Sequence, residues 1–265
     1  PSSLRFGPST LFTHKESKYL FDCGSGVTQR LNAAGVKSSD IEILFVTHLH
    51  SDHVMDIYQL YISGWHQGRD KKFRIVGPRG TKEFFQNILN AFKNELQGRV
   101  EWEQRPNKDG LDYEITEIDS DYAYKNFDLE IIPFEVDHYP VEPAYGYQIK
   151  ILDTVKEKKV VISGDTRKNE NLINHAMNAD ALVHEVFINL EFDEKRMSKK
   201  TISNVRDYHT SPKEIGEIAK AANVKKLILT HFVPPIFDEA FLTKEIGESY
   251  KGNVIIGEDL LTIEI

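Results

Sequence analysis

Residues 45 to 54 read FVTHLHSDHV, and they place His48, His50, Asp52 and His53 within six positions of the end of an apolar run. Imidazole nitrogen and carboxylate oxygen are the donors that divalent zinc favours, and a tight turn can aim alternate side chains at two neighbouring points. One turn can thus serve two metals. A single His-X-His pair more often marks surface or capping residues, but four donors at one strand end do not read that way. Two sites need more ligands than this turn carries, so further donors are expected at other strand ends. His138 follows IIPFEVD, Asp165 follows VVISG, and His231 follows LILT.

The elements that must position these residues follow from pattern. STLFTH and KYLFDC read as short strands joined by the polar turn KESK, and GVTQRLNAAG as a helix ended by Gly35. IEILFVT is a β-rich run of the kind that fills a buried strand. Beyond the cluster, VMDIYQLYISGW has helical spacing, FRIV reads as a strand, and GPRGTKEFFQNILNAFKNEL as a turn leading into an amphipathic helix. Residues 99 to 125 are polar and irregular, with short strands expected. LEIIPFEV, AYGYQIKI, KKVVISG and ADALVHEVF read as strands. Ser211 as cap, Pro212 at the first helical position and Glu214 three residues after the cap mark a helix start, and KKLILTHFVPP is a strand ending in His231. Residues 189 to 208 are charged and poor in pattern, and read as a surface loop or lid. Alternation of strands and helices predicts a layered α/β domain.

The chain has 265 residues, 40% of them hydrophobic, which is enough for a full core, and a single domain spanning 1 to 265 is expected. With 33 Lys and Arg against 41 Asp and Glu, the net charge of -8 supplies no global field to gather nucleic acid or anionic lipid. An anionic substrate must be held locally. Cys23 is the only cysteine, so no intrachain disulfide and no cysteine-rich zinc site can form, and it reads as a small buried apolar residue. No apolar run reaches the roughly 18 residues of a membrane-spanning helix. The chain opens PSSLRFGPST, without methionine or an apolar leader, so its natural start is expected to lie outside this sequence. A cytoplasmic location is favoured, with export left open.

Taken together, THLHSDH (47 to 53), His138, SGDT (163 to 166), LTH (229 to 231) and the early LFDCGSG resemble the metallo-β-lactamase superfamily of binuclear metal hydrolases. The resemblance spans almost the whole chain. It implies a four-layer αββα sandwich with metals in a cleft between the sheet edges. It also implies a first metal on His48, His50 and His138, a second on Asp52, His53 and His231, and Asp165 bridging them. Asp22 would orient the ligand turn. A bridging carboxylate excludes the cysteine-containing site of the antibiotic-hydrolysing branch, because Cys23 lies in FDCG. The cofactors implied are two divalent ions, zinc first, with manganese and iron accepting the same donors.

IVGPRGTKEFF (75 to 85), ALVHEVF (181 to 187) and YHTSPKEIGEIAKAANVKKLILTHF (208 to 232) are similar to the ribonuclease Z and arylsulfatase-like branch. That branch implies His209 and Glu185 beside the metals. His209 stands two residues before a helix cap, where an imidazole could meet an oxyanion, with Glu185 orienting it. His14, His66, His175 and His184 match no ligand motif and read as structural or surface residues. Bacterial-type ribonuclease Z carries a long Gly/Pro-rich arm for gripping tRNA between the motifs matching His138 and Asp165. Here that interval is 165 minus 138, or 27 residues, and strands consume it. The expected activity is a phosphodiesterase on a small or single-stranded phosphodiester, with Asp52 binding metal and taking a hydrogen bond from the nucleophile. The alternatives are a sulfate-ester hydrolase, a tRNA 3'-processing endonuclease and a non-catalytic metal-binding protein. The branch also suggests a homodimer. Met55, Tyr58, Tyr61, Ile62 and Trp65 offer apolar surface for it, and burial in the core explains them equally well.

Overall fold

The computed structural model describes residues 2, 4–153, 157–188 and 198–265. It resolves into two compact units, one running to Asp119 and the other from Ser120 to Ile265.

In the first unit, β1 (Thr10–His14) and β2 (Ser17–Phe21) form the hairpin that KESK predicts, with Phe12 opposite Tyr19. Helix α1 (Val27–Ala33) leads to β3 (Ile41–Phe45), in which Ile43, Leu44 and Phe45 are fully buried, as a strand covered on both faces requires. The single turn α2 (Ser51–Val54) and α3 (Ile57–His66) follow the histidine cluster. Then come β4 (Phe73–Gly77), α4 (Thr81–Ala91), α5 (Lys93–Glu103) and β5 (Tyr113–Glu117). The sheet order is β1-β2-β3-β4-β5, antiparallel at the hairpin and parallel beyond it. Leu31, Leu60, Tyr61, Trp65 and Phe85 from the helices join Leu44 and Ile75 in one core. Burial therefore accounts for Tyr61, Ile62 and Trp65 of the five apolar residues considered for a dimer. Tyr58 stacks on Phe92 at 3.8 Å, and Met55 alone of the five is well exposed.

In the second unit, β6 (Tyr124–Lys125), β7 (Leu129–Glu135), β8 (Tyr145–Ile151) and β9 (Lys158–Ile162) pair antiparallel. From β9 the sheet turns parallel. Helix α6 (Glu170–Ala176) crosses to β10 (Ala181–Phe187), and α7 (Lys199–Asp207) and α8 (Pro212–Ala221) precede β11 (Lys226–Val233). Helix α9 (Glu239–Gly247) then reaches β12 (Asn253–Ile256). Leu172 and Ile173 of α6, Ile215 and Ile218 of α8, and Leu242 and Ile246 of α9 pack on Leu182, Val186, Leu227 and Leu229. The capping box expected at Ser211 and Glu214 is present. Between His184↔Leu229 and Val186↔Phe232 the register slips, so that Thr230 and His231 face the one residue Glu185 across a β-bulge.

Three expectations are corrected. Residues 99–103 continue α5, held by ion pairs of Arg99 with Glu95 and Glu103 and by Val100, which with Leu96 packs on the first unit's core. Residues 199–207, expected in a loop or lid, form α7, with Ser198 accepting a hydrogen bond from the Thr201 N–H; 189–197 lie outside the described residues. His231 lies inside β11 and not at its end. Among the described residues no helix is long and apolar enough to cross a membrane.

Candidate metal centre

In the first unit the site is built on the end of β3. Asp22, at φ 61° just past β2, takes the left-handed conformation that Asp tolerates better than most residues, and so turns its carboxylate toward the cluster. That carboxylate accepts hydrogen bonds from the Thr47 N–H at 2.8 Å, the Thr47 hydroxyl at 2.9 Å and His53 Nδ1 at 2.8 Å. A hydroxyl has one proton, and Thr47 gives it to Asp22. His48 Nδ1, 2.9 Å from the same hydroxyl oxygen, must then be the donor. Both His48 and His53 thereby carry hydrogen on Nδ1 and a lone pair on Nε2. His48 and His53 are buried, His50 partly so, and Asp52 is exposed.

These donors fit a cation. His48 Nε2 and His50 Nδ1 lie 3.0 Å apart, close to the roughly 3.3 Å that two nitrogens adopt on one tetrahedral zinc. His53 Nε2 lies 3.8 Å from Asp52 Oδ2. The short α2, capped by His50 in extended conformation, sets these two pairs side by side.

In the second unit the donors gather where the parallel strands end. His138 is fully buried after β7, and its Nδ1 donates to the Tyr208 carbonyl at 2.9 Å. A carbonyl can only accept, so His138 too presents an Nε2 lone pair. Asp165 follows β9 through Gly164, whose φ of 62° turns the chain, and it offers a carboxylate oxygen within 4.8 Å of a nitrogen of His138. Asp165 Oδ2 is 3.4 Å from His231 Nε2. The bulge, with His231 at φ 43°, aims that ring.

Glu185 and His209 adjoin these ligands. Glu185 Oε1 accepts from the backbone N–H groups of Thr210 at 3.0 Å and Thr166 at 3.4 Å, and it lies 3.2 Å from His209 Nδ1. That separation makes a close ion pair, although the ring N–H is not aimed along it. Burial alone would lower the His209 pKa, but the Glu185 and Asp165 carboxylates outweigh it and hold it above the ordinary histidine value. Glu185 Oε2 is buried with no hydrogen-bond partner among the described residues.

Each expected site residue thus stands with its neighbours inside its own unit: His48, His50, Asp52 and His53 in the first, and His138, Asp165, Glu185, His209 and His231 in the second. Sequence reasoning did not single out Thr47, whose hydroxyl fixes a tautomer, or Tyr208, which acts through its backbone oxygen. The position of Thr47 directly before His48 was the one available signal. Histidines set aside from the site include His184, which is fully buried and held neutral by that burial, with Nδ1 donating to the Glu185 carbonyl at 2.7 Å. His175 stacks on Phe134 at 4.2 Å. Cys23 is buried as expected.

Residues 2–232 match the family model described as Anti-Pycsar protein Apyc1. A ribonuclease Z of Mycobacterium sp. strain KMS is 32% identical over 270 residues, covering all of this chain and 92% of that protein. Among solved structures, the metallo-β-lactamase fold protein YhfI of Bacillus subtilis has a TM-score of 0.73 at 22% identity, covering 98% of this chain and 92% of that one. The short form of human tRNase Z has a TM-score of 0.70 at 21% identity, covering 100% and 95%. The fold is accordingly that of the metallo-β-lactamase proteins, and the His and Asp groups suit divalent metal. The chain belongs to the Anti-Pycsar protein Apyc1 family, as a ribonuclease Z-like, metal-dependent hydrolase.

Proposed function

We propose that this protein is a binuclear phosphodiesterase acting on a small or single-stranded phosphodiester, with both units forming one catalytic domain. The observation that carries the reading is the fixed tautomer of His48, His53 and His138, each set by a different partner to present Nε2. His184 makes the same choice against a main-chain carbonyl, so the tautomers support the reading through the crowding of the donors that share it, His48 Nε2 standing 3.0 Å from His50 Nδ1 and His53 Nε2 3.8 Å from Asp52 Oδ2. His48, His50 and His138 would hold one divalent ion and Asp52, His53 and His231 the other, with Asp165 shared; zinc suits this donor set and manganese or iron also fits. Such a pair supplies charge neutralisation at the phosphoryl oxygens and lowers the pKa of water toward neutrality.

The chain's own groups do the rest. Asp52, the exposed carboxylate of the cluster, accepts a hydrogen bond from the attacking water and orients it in line with the scissile P–O bond. His209, whose pKa the neighbouring Glu185 and Asp165 carboxylates raise against its burial, would donate to a phosphoryl oxygen or to the leaving alkoxide. A net charge of -8 and an interval of 27 residues between His138 and Asp165 support a small substrate over tRNA, which is gripped through many phosphate contacts.

The test is a panel of aryl phosphodiesters, cyclic nucleotides, aryl sulfates and precursor tRNA, each with zinc and with manganese. A small phosphodiester should show the highest kcat/KM. Preference for aryl sulfate or precursor tRNA would replace this reading with the sulfatase or the tRNA-processing one. Absence of turnover on the whole panel with metal bound would favour a binding protein.

A further inference from the structure

Helix α7 has no buried residue, yet its last turn feeds directly into Tyr208 and His209. Helices are usually held by an apolar face, and α7 offers only the half-buried Ile202 and Val205. Its final residue, Asp207, places a negative charge at the negative end of the helix dipole, which by itself is unfavourable. Both oddities have one answer nearby. The Arg167 guanidinium donates through Nη2 to Asp207 Oδ2 at 2.8 Å and through Nη1 to Asp137 Oδ1 at 2.8 Å.

We propose that Arg167 is a positioning residue, a latch that docks the C-terminal end of α7 and so sets the Tyr208 carbonyl under His138 and the His209 ring beside Glu185. The three segments it joins each lead to a site residue. Asp137 precedes His138, Asp207 stands two residues before His209, and Arg167 itself follows Asp165 by two. The Asp137 and Arg167 segments are also stitched by main chain, the Arg167 N–H donating to the Asp137 carbonyl at 2.8 Å. Beyond His209 the chain is also held by Thr210, whose N–H donates to Glu185 and whose hydroxyl donates to the Thr166 carbonyl, so the fork's part is the last turn of α7 up to Tyr208. A planar guanidinium can hold two carboxylates at a fixed separation, which an ammonium cannot do.

The proposal rests on the phosphodiesterase reading for its kinetic readout only. Arg167→Met and Asp207→Asn should each lower kcat on the preferred small phosphodiester on the order of 10- to 100-fold, the scale of misplacing an active-site group by about 1 Å, with KM nearly unchanged. Arg167→Lys should not restore it. The double variant should cost no more than either single one, because both break one contact. The Asp207 side chain is 76% exposed, so the link is open to screening. The wild-type kcat should therefore fall with added salt, and the variants should lose that dependence. Independent of any substrate, hydrogen exchange of the α7 amides should quicken in both variants, and metal affinity should weaken as the Tyr208 carbonyl shifts from His138. Lys168→Met, which breaks an exposed ion pair with Glu217, should change none of these. Additive effects in the double variant, or α7 exchange unchanged by Arg167→Met, would overturn the latch. A wild-type protein inert on phosphodiesters whose α7 exchange still responds as expected would overturn the activity and keep the latch.

Discussion

Thr47 gives its only hydroxyl proton to Asp22 across 2.9 Å, and that single bond decides which nitrogen of the neighbouring His48 carries the lone pair. Thr47→Val keeps the shape and removes the relay. Such outer partners typically govern metal affinity by 10- to 100-fold, and a loss of about that size is expected in competition with a chromophoric chelator. Thr47→Ser should recover it. Nitrogen NMR of the imidazoles should show His48 losing its fixed tautomer in the Val variant. An unchanged metal affinity there would refute the relay.

The role proposed for His209 is on the reacting group and not on the metals. His209→Ala should retain metal while turnover falls by roughly two to four orders of magnitude. Glu185→Gln should be milder, and the pair together should cost little more than His209→Ala, since an orienting carboxylate has nothing left to orient. Metal analysis beside steady-state kinetics checks this. Loss of metal in His209→Ala would make it a ligand instead.

His184 gives a pH dependence of stability. Burial lowers its pKa, so the folded protein keeps it neutral while the unfolded chain protonates it below about pH 6.5. The unfolded state then binds more protons, and stability falls as pH drops below that value toward the depressed folded pKa, at up to about 1.4 kcal/mol per pH unit from this group. His184→Gln should flatten that part of the slope in urea titrations of metal-stripped protein between pH 7 and 5. An identical slope in both proteins would contradict the assignment.

Arg69 is a buried cation with no carboxylate partner among the described residues. It is 2% exposed, donates to the carbonyls of Tyr61 and Gly110, and lies over the Tyr61 and Phe73 rings at 5.3 and 4.8 Å, with burial pushing its pKa down to about 10. Arg69→Met leaves two carbonyls without their donor and should destabilise by about 2 to 4 kcal/mol in denaturant unfolding, with the unfolding slope unchanged. Destabilisation below about 0.5 kcal/mol would mean that the carbonyls find water.

The donors themselves were legible because their chemistry lies in residue type and spacing: THLHSDH, SGDT and LTH each follow an apolar run whose strand was readable. The β3 and β10 runs could be recognised since burial on both faces demands near-continuous Val, Ile and Leu. Helix α7 was not, as SKKTISNVRD presents two apolar residues and takes its support from charge. Helix α6 is one short segment, ENLINHA, whose cap Asn169 is the main mark of its start. Tyr208 escaped notice because it works through a main-chain oxygen, which every residue possesses.

The bulge in β11 acts as a phase shifter. Leu227, Leu229 and Phe232 all enter the same core, which strict alternation forbids for positions of opposite parity, and the two residues Thr230 and His231 absorb the slip. The strand is thus spliced from two frames, one reading out Leu229 to the helices and the other Phe232, with His231, the proposed metal donor, at the join. A one-residue deletion at 230 would heal the pairing, keep Leu229 and Phe232 on the core side, and remove the left-handed turn that aims the His231 ring. Folding selection alone would accept that shortened chain, so this ligand's extra residue is kept only where the chemistry is wanted.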